Sequence, residues 1–441
     1  MDIREKVLKE AKENKVGFIL LWFTDILGFL KSFAITADEL EGSLYEGSGF
    51  DGSSIHGFTR IDESDIIAKP DPTTFTILPW EVGETKIARM FCDILNPDGT
   101  PYEDDPRYVL KRNLDKAKKM GFTFNVGPEL EYFYFKSSKI PPEPLDAGGY
   151  FDLIPLDIAL QLRKRTVIAL QKMGIEVEAS HHEVAPSQHE IDLRYKEGLK
   201  MADIVMTYRF VVKEIALKQD VYATFMPKPL FGENGSGMHT HMSLFQGEKN
   251  AFFDENDPLH LSPIAKKFIA GLLHHAREIT LITNQWVNSY KRLVAGYEAP
   301  VYISWARRNR SDLIRVPQYK PGKEKATRVE YRAPDPACNP YLAFSVLLAA
   351  GLKGIEEDYE LTPPVERNVY EMTPQERERL GIKMLPGSLI EAIQETKKST
   401  LVKEALGEEV FQKLIENKEK EWDKYRSRVT SYELEYYYPI L

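Results

Sequence analysis

Cysteine is nearly absent from this 441-residue chain, which holds only Cys92 and Cys338. A disulfide framework and a cysteine-based zinc site are excluded, and a reducing, cytoplasmic setting is expected. No apolar run approaches the roughly 18 residues that a membrane-spanning helix needs. The opening MDIREKVLKEAKENK is charged and helical in pattern, unlike an apolar leader. On that reading the sequon Asn234-Gly235-Ser236 meets no glycosylation machinery. A basic excess is missing too: 58 Lys and Arg against 67 Asp and Glu leave a net charge of −9. With no RRM, KH or helix-turn-helix pattern, neither nucleic acid nor an anionic membrane is an expected partner. There is no G-x-x-x-x-G-K-[ST] phosphate loop, internal repeat or low-complexity tract. A bound nucleotide must therefore be held by metals and arginines.

Two short patterns are decoys. GSGFDG (47–52) fits a dinucleotide fingerprint, but no convincing strand precedes it and no helix follows. HEVAP (182–186) begins like a zinc-protease helix, but Pro186 stands where the second histidine is required.

The length and a hydrophobic share of 43% point to two domains or more. Residues 1–14 read as an amphipathic helix. KVGFILLWFTD and GFLKSFAIT read as strands joined near Gly28. Thr36 with Glu39 reads as a capping box opening a helix. TTFTILPW and TKIARMFCDIL read as further strands. This is a small α+β unit, bounded by the loop-like NPDGTPYEDDP (96–106). Beyond it, helical patterns at 106–121, 156–174 and 200–220 alternate with strand patterns at 122–135, 175–184, 188–195, 221–229, 237–246, 301–311 and 327–334. The last hundred residues are mainly helical. The expected fold is α+β, with a mostly antiparallel sheet and helices on one side.

The strands carry unusual charge. Glu129 and Glu131 in GPELEYFYF share one strand face, roughly 6.6 Å apart, and Phe133 and Phe135 continue that face. Two carboxylates on a partly buried face repel unless cations pair with them. HHEVAPSQHEIDL adds Glu183 and Glu190, which a hairpin at Pro186 would bring together. TRVEYRAP places Arg328, Glu330 and Arg332 on one face. NGSGMHTHMSL holds His239 and His241, and by itself reads as a metal pair, a hairpin, or part of something larger. Residues 291–332 hold eleven Lys and Arg against four Asp and Glu, which suits anionic ligands or a solvated basic face. Oxygen ligands with an occasional imidazole suit Mg²⁺ or Mn²⁺. Metal-dependent phosphoryl transfer is the chemistry these residues suggest.

Taken together, FDGSSIHGF (50–58), GPELEYF (127–133), HHEVAPSQHEID (181–192), MPKPLFGENGSGMHTHMSL (226–244), NSYKRLVAGYEAP (288–300), ARRNRS (306–311) and RVEYRAPDPACNPYLA (328–343) resemble the type I glutamine synthetases of bacteria and archaea. The resemblance covers nearly the whole chain. It implies a β-grasp-like domain at 1–103 that completes the neighbouring subunit's site, and a catalytic domain at 104–441 of the glutamine synthetase/guanido kinase-like kind. It implies ATP-dependent joining of ammonia to L-glutamate through γ-glutamyl phosphate, with two Mg²⁺ or Mn²⁺ ions per site.

Carried over by position, Glu131, Glu183 and Glu190 would hold one metal; Glu129, His239 and Glu330 would hold the other. Asn234, Gly235, Arg292 and Arg332 would meet glutamate. Arg310 and Arg315 would face phosphate, and Glu178, His241, Ser243 and Lys325 would lie on the nucleotide side. Asp51 would take a proton from ammonium beside Tyr150 and Glu183, and Glu298 would close over the intermediate. His181, His182 and His189 read as hydrogen-bonded walls. The resemblance also implies a dodecamer of two hexameric rings. Tyr370 stands where the modified tyrosine of the longer, adenylylated enzymes would fall, but the chain lacks the accompanying insertion and resembles the short, non-adenylylated class. Arg60 resembles the arginine linked to glutamine feedback in the shorter enzymes. Ala295 stands where proline is common. An amine-using γ-glutamyl ligase would alter the ammonium pocket, and an inactive scaffold would lose ligands; neither change is seen among these residues.

Overall fold

The computed structural model describes residues 2–53, 55, 65–309 and 311–441. The N-terminal unit comprises α1 (Ile3–Glu13), β1 (Val16–Thr24), β2 (Leu30–Thr36), α2 (Leu40–Glu46), β3 (Ser48–Asp51), β4 (Asp65–Pro70), β5 (Thr76–Val82) and β6 (Thr85–Leu95). Among the described residues, these strands form one sheet in the order β2-β1-β6-β4-β3, with β5 also pairing β6. β1 runs parallel to β6 and antiparallel to β2. Ile19, Leu21 and Phe23 on β1 pack under Val7, Ala11, Leu40 and Leu44 of the two helices. Trp22 points the other way and meets Phe91 and Phe210 edge-on, with centroids 5.6 and 5.0 Å apart. This alternation lets one strand serve two cores.

Two local readings are corrected. Thr36 makes no capping hydrogen bond, because the chain enters α2 through a 3₁₀ turn at Ala37–Glu39 whose tighter winding differs from an α-helical start. The stretch GSGFDG, set aside as a dinucleotide fingerprint and given no element of its own, contains β3, and β4 beside it was also not anticipated.

The larger unit continues with α3 (Pro106–Lys119), β7 (Thr123–Phe135), α4 (Leu160–Lys172), β8 (Val177–His182), β9 (Gln188–Leu193), β10 (Lys196–Glu197), α5 (Gly198–Leu217), β11 (Tyr222–Thr224), β12 (Met238–Gln246) and β13 (Lys249–Asn250). Then come α6 (Pro263–His274), α7 (Ala276–Thr283), α8 (Ser289–Arg292), β14 (Tyr302–Ala306), β15 (Asp312–Arg315), β16 (Val329–Tyr331) and α9 (Pro340–Glu356). The chain closes with α10 (Pro374–Arg379), β17 (Lys383–Met384), α11 (Leu389–Lys397), α12 (Thr400–Leu406), α13 (Glu408–Arg426) and α14 (Ser431–Tyr436). The main sheet order is β17-β14-β15-β16-β12-β7-β9-β8, antiparallel except for β14 with β15. The expected strand at 221–229 shrinks to β11, since Pro227 and Pro229 offer no amide for a ladder. No described helix is long and apolar enough to cross a membrane.

Arg107 lies at the seam between the two units. Asp105 caps α3 by accepting the Arg107 amide at 3.0 Å, with Pro106 at the first helical position. The buried Arg107 guanidinium donates to Asp71 (2.8 Å) and Asp93 of the N-terminal unit, and to both oxygens of Asp203 on α5 (3.2 and 3.0 Å). Tyr341 on α9 donates to the same Asp203 at 2.6 Å. Removing the cation strands carboxylates in a dry seam. Arg107→Met is expected to cost about 3 kcal/mol or more, read as a lowered urea midpoint.

Candidate active site

The polar face of the main sheet is organised by register. Arg315 on β15 lies opposite Glu330 on β16, which lies opposite His241 on β12. Two residues along, His239 lies opposite Glu129 on β7, and Glu129 opposite Asp192 on β9. In the next rank Glu131 lies opposite Glu190, and Glu190 opposite His181 on β8. Because side chains repeat every second residue, all these groups emerge on one face. Leu130, Tyr132 and Tyr134 of β7 face the other way, into the main core, where Tyr208 of α5 donates to the Leu130 carbonyl at 3.1 Å. Past Glu131 the polar stripe turns apolar: Phe133 and Phe135 stack at 5.8 Å beside Ala185.

These ranks floor a cavity of about 980 Å³. Its lining includes Glu129, Glu131, Glu183, Glu190, Asp192 and His239 on the acidic side, and Arg292, Arg315, Glu330 and Arg332 on the other. Asn234, Gly235, Tyr297 and Glu298 close one edge, and Tyr150, Phe151 and His181 another. Gly235 and Gly237 are required here. A Cβ on Gly235 would sit 2.3 Å from the Pro227 carbonyl, and one on Gly237 would sit 2.6 Å from Arg292 Nη2. Arg292 is held by the carbonyls of Ala333 (2.6 Å) and Arg332 (3.2 Å). Glu298 adopts the left-handed region at φ 55°, and Asn234 donates to its Oε2 at 3.2 Å.

The charges form two regions. Burial and neighbouring Glu183 push Glu131 up to about 8, despite Arg292. Burial, with Asp192, Glu131 and Glu129 alongside, raises Glu190 far above the carboxylate range. On the other side, burial opposes ionisation of Glu129 but His241 and His239 outweigh it and hold it well below that range. Burial likewise opposes ionisation of Glu330, yet His241 and Arg332 bring it down to about 2. Burial, then Arg332, lowers His239, leaving the neutral imidazole that ligates metals.

The donor atoms of Glu129, His241 and Glu330 lie within 4.8 Å of one another, as do those of His181, Glu183 and Glu190. The sets implied by resemblance differ by one member each. His241 Nε2 is 2.8 Å from Glu129, but Arg328 donates to its Nδ1 at 3.1 Å, so that Nε2 carries a proton and offers a metal no lone pair; His239 Nδ1 is 3.6 Å from Glu129. His181 Nε2 is 2.6 Å from Glu183, while Glu131 Oε2 is occupied by Gln188 and the Gly237 amide. Crowded carboxylate oxygens beside a neutral imidazole fit hard divalent cations.

A third cluster, Asp146, His182 and His189, has metal-like spacing but unsuitable protons. Arg163, itself paired with Asp157, contacts His189 Nδ1 at 2.9 Å. An arginine only donates, so Nε2 of His189 carries the proton and has no lone pair for a metal. His182 Nδ1 is 2.7 Å from the Glu183 carbonyl, and its Nε2 is 3.0 Å from Asp146. This cluster is a brace behind the β8–β9 hairpin, in line with the reading of these histidines as walls.

Other sequence-derived candidates lie elsewhere. Asp51 ends β3, exposed, with its carboxylate accepting the Ser53 amide at 2.8 Å, and does not line its own chain's cavity. Glu178 is exposed and paired with Arg194 at 3.2 Å, and Lys325 is exposed and paired with Glu248 at 3.0 Å. His241 sits between Glu129 and Arg328, just behind the lining, and Ser243 is buried further along β12. Arg60 and Arg310 lie outside the described residues. Sequence reasoning overlooked Gln188 and Asp192. Both stand two residues from Glu190, a period-two signal that was available in QHEID.

A family model described as "Glutamine synthetase, catalytic domain" matches residues 103–437, and one described as "Glutamine synthetase, beta-Grasp domain" matches residues 15–97. The chain belongs to the glutamine synthetase family. A glutamine synthetase of Mycolicibacterium smegmatis is 56% identical over 98% of both chains. One of Thermotoga maritima is 52% identical over 98% of this chain and 99% of the relative. Among solved structures, a Plasmodium falciparum glutamine synthetase superposes with a TM-score of 0.89 at 26% identity, covering 99% of both chains. A GmaS/ADP complex gives a TM-score of 0.89 at 30% identity, covering 98% of this chain and 99% of the other. The α+β architecture with its β-grasp N-terminal domain is that of the family, whose members use ATP and divalent metals.

A pH dependence follows from the raised carboxyls. Their folded values exceed the unfolded ones, so their protonated forms favour the fold. For Glu131 that contribution is complete below about pH 4.5 and is lost as pH rises through about 8, and Glu190 acts in the same direction. A divalent cation binding there displaces the protons. Between pH 6 and 8 its affinity should rise up to ~10-fold per unit for each proton released. Calorimetry with Mn²⁺ in buffers of different ionisation enthalpy should register that release, and Mn²⁺ should raise the melting temperature more at pH 8 than at pH 6.

Proposed function

We propose that this chain joins ammonia to L-glutamate using ATP, through γ-glutamyl phosphate, in the cytoplasm. The supporting observation is a single sheet face on which carboxylate–imidazole groups stand directly beside Arg292, Arg315 and Arg332. A γ-carboxylate is a poor acyl donor, so phosphoryl transfer must precede amine attack. Charge then builds on the transferring group, and fixed cations around it lower the barrier.

Glu131, Glu183 and Glu190 would hold one divalent cation; Glu129, His239 and Glu330 would hold a second. Such ions, when bound, neutralise phosphate charge. Asn234, Gly235, Arg292 and Arg332 orient glutamate. Arg310 and Arg315 meet phosphate, and Glu178, His241, Ser243 and Lys325 serve the nucleotide side. Asp51 of a neighbouring subunit takes the ammonium proton, with Tyr150 and Glu183 completing that cation pocket. Glu298 excludes water from the intermediate. The assembly would be a dodecamer of two hexameric rings, with glutamine as feedback inhibitor.

Phosphate release with ATP and glutamate is expected to depend on ammonium. Equal release without it, or preference for methylamine or putrescine, would sink this reading. In the same assay glutamine should inhibit the wild type and not Arg60→Ala.

Asp51 has its own check. Asp51→Asn and Glu129→Gln chains should each be inactive alone. Reassembled in equal amounts, they should recover up to about a quarter of wild-type activity, because random pairing restores that share of sites. No recovery would place Asp51 in the site of its own chain.

A further inference from the structure

Gln188 opens β9 and is 1% exposed. Its Nε2 donates to Glu131 Oε2 at 2.7 Å and to the Gly235 carbonyl at 3.1 Å, while its Oε1 accepts the Ala185 amide at 3.1 Å. The orientation of this amide is settled by its partners. The Gly235 carbonyl only accepts, so the nitrogen faces it; the Ala185 N–H only donates, so the oxygen faces Ala185. Both amide hydrogens are therefore used inside the protein.

The partners matter more than the residue itself. Glu131 Oε2 also receives the Gly237 amide at 2.9 Å, which leaves Oε1, 4.0 Å from His239 Nδ1, as the oxygen that turns to the cavity. The Glu131 amide donates back to the Gly237 carbonyl at 3.1 Å. Gly235 packs closely on the preceding loop, with the Pro227 carbonyl 2.3 Å from where a Cβ would be. One neutral side chain thus ties a carboxylate on β7 to the loop that leads into β12.

We propose that Gln188 is a positioning residue that sets the spacing between the cation site at Glu131 and the glutamate site at Gly235. The names of these two sites rest on the function proposed above. The chemistry explains the residue type. A lysine here would compete with a metal for Glu131, and a carboxylate would repel it. An amide alone offers two donors without charge. By holding Oε2, Gln188 presents Oε1 in one direction, and by holding the Gly235 carbonyl it keeps that backbone against the cavity.

Gln188→Glu keeps the shape but removes both donors. Gln188→Met keeps the volume and removes them without adding charge. Loss of a group that orients a ligand typically costs ~10–100-fold in metal affinity. The Mn²⁺ dissociation constant and the glutamate KM should therefore rise about tenfold or more in Gln188→Glu and less in Gln188→Met. The ATP KM should stay close to wild type in both, whatever the melting temperature does, since either change leaves buried partners unpaired. A purely structural role would raise the ATP KM together with the other two constants, and that result would overturn the proposal. So would Mn²⁺ and glutamate constants within about twofold of wild type in Gln188→Met, which decides alone if Gln188→Glu does not fold. Wild-type protein lacking ammonium-dependent phosphate release would instead remove the reaction, while Mn²⁺ calorimetry on the variants would still read the role of Gln188.

Discussion

Repulsion among carboxylates is the constraint around which this molecule is arranged. Glu129, Glu131, Glu190 and Asp192 stand on adjacent strands at ladder distance, and Glu183 closes in from the β8–β9 turn. Left in a dry interior they could not all ionise. The protein answers differently on the two sides. Near β16 it supplies His241, Arg315 and Arg332, and there Glu129 and Glu330 stay ionised. Near β9 it supplies amide donors, and Glu131 and Glu190 hold protons that a divalent cation can displace. The face is therefore charged on one flank and chargeable on the other.

Such an arrangement needs rigid strands, and the rest of the fold provides them. The far side of β7 is nailed to α5 through Tyr132, Tyr134 and Tyr208, with rings packed edge-on. The β8–β9 hairpin is backed by the Asp146–His182–His189 brace and by Arg163 with Asp157. Arg107 ties the first sheet to α5, so the unit bearing Asp51 is fixed to its own catalytic domain. Fixed in that way, Asp51 stands away from the cavity of its own chain.

Alternation made the strand faces legible. GPELEYFYF separates its acids from its tyrosines by simple period two, and the register bears this out. Residue spacing could not show which strands would be neighbours, because register depends on contacts far apart in sequence. That is why the His-x-His of β12 was divided into two roles only by the resemblance, while the register shows Glu129 and Glu330 on either side of it. β3 and β4 were missed because short strands with glycine and charged residues carry little pattern. The Thr36 cap failed because a 3₁₀ turn intervened. Gln188 was overlooked because an uncharged residue beside two acids draws no attention, although its spacing was as informative as theirs.

The stacked Phe133 and Phe135 have one more consequence. They stand at the end of the acidic stripe, directly beyond Glu131, with Ala185 and Leu230 around them. Neither ring offers a lone pair to a cation, so along β7 the ligand-bearing stretch ends at Glu131, and a bound ion is confined to the positions before it.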